Sequence, residues 1–167
     1  MQVVDSEAVP LTTGSRLAIE PDPELDELER RAWRGFLHKH AQLAKLLEAD
    51  LLAHNQIPLA EFDVLFQLAL ADEQRLRMNE LADRVLLSRA GMTRLVDRLV
   101  ADGLVGRLKC PSDGRGAFAV LTDTGRMRLN EARPGHLRAV KHNFLEGMTR
   151  PELETLADLM ERDLPQA

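Results

Sequence analysis

The sequence predicts a mainly α protein organised around one compact module: a helix, a short turn, a second helix and a small antiparallel β-hairpin, with long helices before and after it. Three observations predict this. Apolar residues recur at threes and fours along most of the chain, which is the helical period. From Leu104 to Cys110 that period gives way to alternation, and Pro111-Ser112-Asp113-Gly114-Arg115-Gly116 then has the composition of a turn. The composition, 44% hydrophobic but only 4% aromatic, suits helices rich in Leu and Ala. At 167 residues the chain is expected to be one domain, or one domain with helical extensions, long enough to bury a real core.

Residues 1–22 carry no sustained period and include Pro10, Gly14 and Pro21, so they are expected to form a flexible N-terminal arm. From Pro23 to about Asn55, Leu28, Ala32, Trp33, Phe36, Leu43, Leu47 and Leu51 mark one long amphipathic helix, with Asp22 as its candidate N-cap. Such a helix outruns the core of a small domain, so part of its apolar face is expected to meet another chain. Ile57-Pro58 breaks the pattern, and Leu59 to Ala71 resumes it as a helix supporting the core. Asp72 to Arg77 reads as a connector with room for a short first strand. Met78 to Val85 is the first helix of the central module, with Leu81, Ala82 and Val85 on one face. Ser88 is placed to cap a second helix, Arg89 to Asp102, and Gly103 to end it. Ala117 to Leu121 returns as the second strand. Thr122 is expected to cap a helix from Asp123 to about Phe144, with Pro134 kinking or breaking it near Arg133. Thr149-Arg150-Pro151-Glu152 has capping-box spacing ahead of a last helix carrying Leu153, Leu156, Ala157, Leu159 and Met160.

The second helix of the module separates into two faces. Met92, Leu95, Val96, Leu99 and Val100 share the arc expected to be buried. Ala90, Gly91, Arg94, Asp97 and Arg98 share the other, with Thr93 on its flank. Small residues let a helix approach something closely, arginine forks onto guanine or phosphate, and threonine contacts a phosphate or a thymine methyl. In the strand, Leu104, Gly106, Leu108 and Cys110 are expected on the apolar side, with Val105, Arg107 and Lys109 on the other. Arg115 sits between two glycines at the hairpin tip, with Asp113 placed to hold its guanidinium, and a narrow minor groove attracts such an arginine. Charge agrees: the net value is -5, yet residues 75–133 hold 12 Lys and Arg against 7 Asp and Glu. A basic block in an acidic chain concentrates attraction for phosphate on one surface.

These residues resemble the winged helix-turn-helix regulators of the multiple antibiotic resistance regulator (MarR) type. Asp113, Arg115, Leu121 and Thr122 match that family's D-x-R-x-x-x-x-x-L-T wing signature. Glu80-Leu81-Ala82, Ser88 through Leu99 and the Gly103-Leu104-Val105 step match as well. The resemblance implies a homodimeric regulator, in the first instance a repressor, bound to a pseudo-palindromic operator on double-stranded DNA. It also implies residues 57–122 as the DNA-binding region, with 23–56 and 123–167 as helices that dimerise. Ser88, Arg89, Ala90, Gly91, Thr93, Arg94 and Arg98, the strand residues Arg107 and Lys109, and Asp113 and Arg115 in the wing are the expected DNA-binding residues. Trp33, Arg34 and Asp63, with an arginine of the wing region, look like the constellation of the family's urate-responsive branch, which implies a small aromatic or anionic effector.

Catalysis finds no support in the residues. There is no G-x-S-x-G, no phosphate-cradling glycine loop and no H-E-x-x-H. His38 and His40 point to different sides of a helix, and His54, His136 and His142 are isolated in sequence, so no metal and no cofactor are expected. A lone cysteine cannot form an internal disulfide, and Cys110 is expected to be a small core residue. No apolar run approaches a membrane span and no secretory signal is visible, which predicts a cytoplasmic protein. The competing readings are a winged-helix module that docks on protein, or a regulator sensing metal or oxidant through the same histidines or cysteine.

Overall fold

A computed structural model of the chain describes residues 24–109 and 117–162. The chain divides into two compact units, Met1–Leu37 and His38–Ala167, with the boundary inside the first helix. That helix, α1, spans Glu27–Asn55. It starts later than the periodicity suggests, because Asp26 and Glu29 form a reciprocal cap: Asp26 Oδ1 accepts the Glu29 N–H at 2.8 Å and Glu29 Oε2 accepts the Asp26 N–H at 2.7 Å. Asp22, the expected cap, lies outside the described residues, as does the arm before it.

In the second unit α2 (Leu59–Leu70) is followed by a one-turn 3₁₀ segment and the short strand β1 (Arg75–Arg77). Then come α3 (Met78–Arg84), α4 (Arg89–Ala101), β2 (Val105–Lys109), β3 (Ala117–Leu121), α5 (Asp123–Val140) and α6 (Arg150–Met160). The sheet is antiparallel in the order β1-β3-β2, so the connector before α3 supplies a third strand beside the hairpin. One apolar core runs from Leu51 near the end of α1 through Phe62 and Leu65 of α2, Leu81, Met92 and Leu99, to Leu129 and Ala132 of α5. α2 lies in its middle, as its apolar pattern requires.

The turn between α3 and α4 is closed by backbone geometry. Leu86 takes a left-handed φ of 57°, and the Leu87 N–H bonds to Ala82 O at 3.0 Å. This is the six-to-one bond of a Schellman ending, with a leucine where glycine is usual. α4 ends the same way on Gly103 at φ 71°, with the Leu104 N–H bonding to Leu99 O at 2.9 Å.

Three sequence expectations need correction. First, the strand faces are swapped. Val105 is buried opposite Leu121, while Leu108 is 49% exposed opposite Phe118. A strand's side chains alternate, so a shift of one residue turns every one of them over, and the burial of Ala119 and Leu121 on β3 decides the register for β2. Second, Val100, furthest from the centre of its arc, is 37% exposed instead of buried. Third, α5 runs unbroken through Pro134, and the irregularity comes later, as a π turn over Lys141–Leu145. The missing proline N–H costs one helix bond, but Leu129 and Ala132 anchor the preceding turns in the core. The His136 ring also rests against Phe62 of α2 at 4.3 Å between centroids, so packing keeps the helix continuous where the sequence alone allows a break.

Thr122 joins three elements. Its Oγ1 accepts the Gly125 N–H at 3.0 Å, capping α5, and lies 2.8 Å from Gly103 O and 2.9 Å from Leu104 O, to which the hydroxyl donates. The Leu-Thr pair that closes the hairpin therefore has two physical jobs: Leu121 fills the core, and Thr122 ties the end of α4 to the start of α5. α6 begins with the expected capping box, Glu152 Oε2 accepting from the Thr149 N–H and hydroxyl at 2.7 Å each. No residue of α6 is buried, and Leu159 and Met160 lie open.

Candidate nucleic-acid interface

α3, the turn and α4 present one exposed surface built from short-range rules. Ser88 Oγ accepts the Gly91 N–H at 3.1 Å, so the helix N-terminus is capped from its own sequence. A Cβ on Gly91 would approach that oxygen at 3.1 Å, so glycine keeps the cap uncrowded. Ala90, Thr93, Arg94, Asp97 and Arg98 are all exposed, and Gly91 is half-exposed. Thr93 Oγ1 donates back to Arg89 O at 2.9 Å, which orients its methyl and lone pairs.

The basic residues of this surface fall into two groups. Arg89 and Arg94, on the first turns of α4, have no ion-pair partner among the described residues. Arg98 and Arg107 do. Arg98 lies 3.6 Å from Glu61 of α2, a side chain largely buried, and Arg107 of β2 lies 2.8 Å from Asp97 of α4. Lys109 is the last residue of β2. Asp113 and Arg115, like Cys110, lie outside the described residues.

Sequence reasoning missed a further basic group. Arg75 and Arg77 of β1 stand over the ring of Phe118, 5.2 and 5.3 Å from its centroid. Arg77 is directly opposite Phe118 in the β1–β3 pairing and Arg75 is also paired with Glu73. The signal was present as Arg-Leu-Arg in the connector expected to have room for a short strand, but the aromatic partner Phe118 is more than forty residues away in sequence.

The residues expected to hold an effector belong to different units. In the first, Trp33 stacks on Phe36 at 6.1 Å and Arg34 lies 3.9 Å from Glu27. In the second, Asp63 lines a cleft of about 380 Å³ with Lys45, Glu48, Leu59 and Leu87. Glu48 Oε2 also accepts the Leu59 N–H at 2.5 Å, capping α2 from α1. Burial, and then the Glu48 carboxylate, push the Asp63 carboxyl up from its ordinary 3.8 to about 6. Because the folded value is the higher one, the stability Asp63 lends is complete below about pH 4 and lost as pH rises through 6. Asp63→Asn is therefore expected to stabilise the protein at pH 7.5, by about 1 kcal/mol after allowance for solvent screening, and to give no gain at pH 4. Urea unfolding at the two pH values measures the difference.

His54 and His142, far apart in sequence, both line one cleft of about 400 Å³ beside the C-terminal half of α1 and α5. Each has its own carboxylate, His54 facing Asp50 at 3.3 Å and His142 facing Glu146 at 2.9 Å. Among the described residues no three His, Cys, Asp or Glu side chains are arranged to hold a metal ion. Nor is any described helix long and apolar enough to cross a membrane.

Known proteins show the same arrangement. The model of the MarR family matches residues 55–116, which run from the end of α1 to the start of β3. The transcriptional repressor YetL of Bacillus subtilis is 35% identical over 105 residues, spanning 61% of this chain and 63% of its own length. Sco3205, a MarR family transcriptional regulator from Streptomyces coelicolor solved in complex with DNA, is 34% identical with a TM-score of 0.75. That match covers 81% of this chain and 86% of Sco3205. A mutant MarR from E. coli, complexed with operator DNA, superimposes with a TM-score of 0.71 at 26% identity, covering 84% of this chain and all of the other.

Proposed function

Because the chain belongs to the MarR family of winged helix-turn-helix transcriptional regulators, which bind DNA and are not enzymes, we propose that it acts as a homodimeric repressor on a pseudo-palindromic operator. α4 is the recognition helix. Its N-terminal residues Ser88, Arg89, Ala90, Thr93 and Arg94 address the major groove, and Arg115 in the wing addresses the minor groove. The observation that carries this reading is the pair of guanidiniums, Arg89 and Arg94, that have no ion-pair partner among the described residues and stand on the exposed first turns of a helix capped by Ser88. A recognition helix reads base edges from that end, and two such helices in a dimer meet half-sites roughly 10 bp apart.

Salt and a single substitution test it. For the wild type, log affinity is expected to fall linearly with log salt, by roughly 0.9 for each phosphate neutralised. Arg94→Ala is expected to cost about 1 to 3 kcal/mol on the operator, with the thermal unfolding midpoint unchanged. Equal loss on operator and unrelated duplexes would assign Arg94 to the backbone instead of the bases. Affinity indifferent to salt would remove DNA as the partner altogether and leave the protein-docking module.

A small aromatic effector is part of the same proposal. The cleft at Asp63 supports it, and the two carboxylates there favour a ligand that donates protons to them over a bare anion.

A further inference from the structure

We propose that Asp97 and Arg107 form a clasp that fixes the spacing between the recognition helix and the wing, and that Arg107 therefore contributes position to DNA reading instead of a phosphate contact. The inference rests on the DNA-binding reading above and refines it residue by residue.

Asp97 lies on the exposed side of α4, among the residues offered to DNA. An uncompensated acid there would repel phosphate. It is compensated, because Arg107 reaches it at 2.8 Å. Arg107 sits on the core-facing side of β2, opposite the fully buried Ala119 and two residues beyond the buried Val105. An arginine at that parity keeps its charge out of the core by reaching past it, and the neighbouring helix α4 supplies its partner. Among the described residues no other ion pair joins α4 to the sheet. Both side chains remain well exposed, 38% for Arg107 and 58% for Asp97, so the pair is worth little to stability. What it does determine is geometry. Val105 and the Gly103 turn hold the near end of β2 to α4, and the ion pair holds it again further out, toward the wing.

A regulator with two reading elements discriminates by the distance between them. If the wing is free to swing, each element still finds phosphates, but major-groove and minor-groove contacts no longer occur together at one base-pair spacing. Loss of the clasp should thus lower affinity for the operator while leaving affinity for arbitrary duplex alone. A phosphate contact behaves oppositely: its loss weakens all duplexes and reduces the salt slope.

The test uses the full-length protein and three variants, Asp97→Asn, Arg107→Ala and the double substitution, titrated with an operator duplex and an unrelated duplex over a series of salt concentrations. Asp97→Asn keeps size and shape while removing a negative charge from the DNA side. The expected result is a fall in operator affinity of up to about fivefold for each single variant, no fall on the unrelated duplex, and a salt slope equal to that of the wild type. The double variant is expected to be no worse than either single one, because the two residues act as one unit. Thermal unfolding of Asp97→Asn within a few degrees of the wild type secures the comparison. Arg107→Ala lowering the slope by about 0.9 on both duplexes would overturn the proposal. So would Asp97→Asn tightening both duplexes alike. A wild-type protein that binds neither duplex in dilute buffer would instead remove the DNA-binding reading, and the clasp with it.

Discussion

Trp33→Glu combined with Phe36→Glu is expected to leave a monomer that binds the operator at least 100-fold more weakly than the wild type. In the first unit Leu28, Trp33, Phe36 and Leu37 are 69%, 54%, 50% and 46% exposed, and none of its described residues is buried. A helix face this apolar has no reason to remain in water. α6 repeats the pattern in the second unit, with Leu159 and Met160 open on a helix without a single buried residue. A second copy of the chain is the occupant proposed here. With a second recognition head tethered by the first, operator affinity exceeds that of one head by about 10²- to 10⁴-fold, and a monomer forfeits that gain. Light scattering after size exclusion reads the mass, and a titration with operator reads the affinity. Since both side chains are half-exposed in the single chain, the substitutions should spare the monomer's fold. A variant that stays dimeric would place the dimer contact elsewhere.

Gly125→Ala carries the largest expected effect on stability, a loss of about 3 kcal/mol. Gly125 is buried in the first turn of α5, and a Cβ there would overlap Leu104 O while coming within 2.9 Å of Leu121 Cδ1 and 3.0 Å of Leu104 C. Two of those three atoms are backbone at the entrance to β2, so the contact cannot be relieved by rotating a side chain. α5 would have to lift, and Thr122 would lose its grip on Gly103 and Leu104. A domain of this size has a total stability of only about 5 to 15 kcal/mol, so the urea midpoint should drop sharply. Gly147→Ala provides the control, because an added Cβ there meets nothing within 4 Å.

The two expectations differ in how far the sequence alone could reach. Apolar residues recurring along a first helix too long for the core of one small domain are visible as a repeating pattern, so a face left over for another chain was legible. The collision at Gly125 was not, since a glycine in the first turn of a helix shows no reason for being there until the start of β2 is placed against it.

The same division runs through the whole molecule. What the sequence by itself determined is whatever depends on neighbours a few residues apart: the Ser88 cap, the Gly103 ending, Thr122 at the head of α5, the Thr149–Glu152 box and the apolar arc of the recognition helix. These rest on hydrogen bonds and helical spacing that close within one or two turns of chain. The tertiary structure alone decided which side of β2 faces the core, that α5 continues through Pro134, and that Asp63 shares its cleft with Glu48. It also decided that Arg98 and Arg107 are held by Glu61 and Asp97 while Arg89 and Arg94 have no ion-pair partner among the described residues. Each of these is a choice among partners distant in sequence, made by packing and by the fields of charges that only folding brings together.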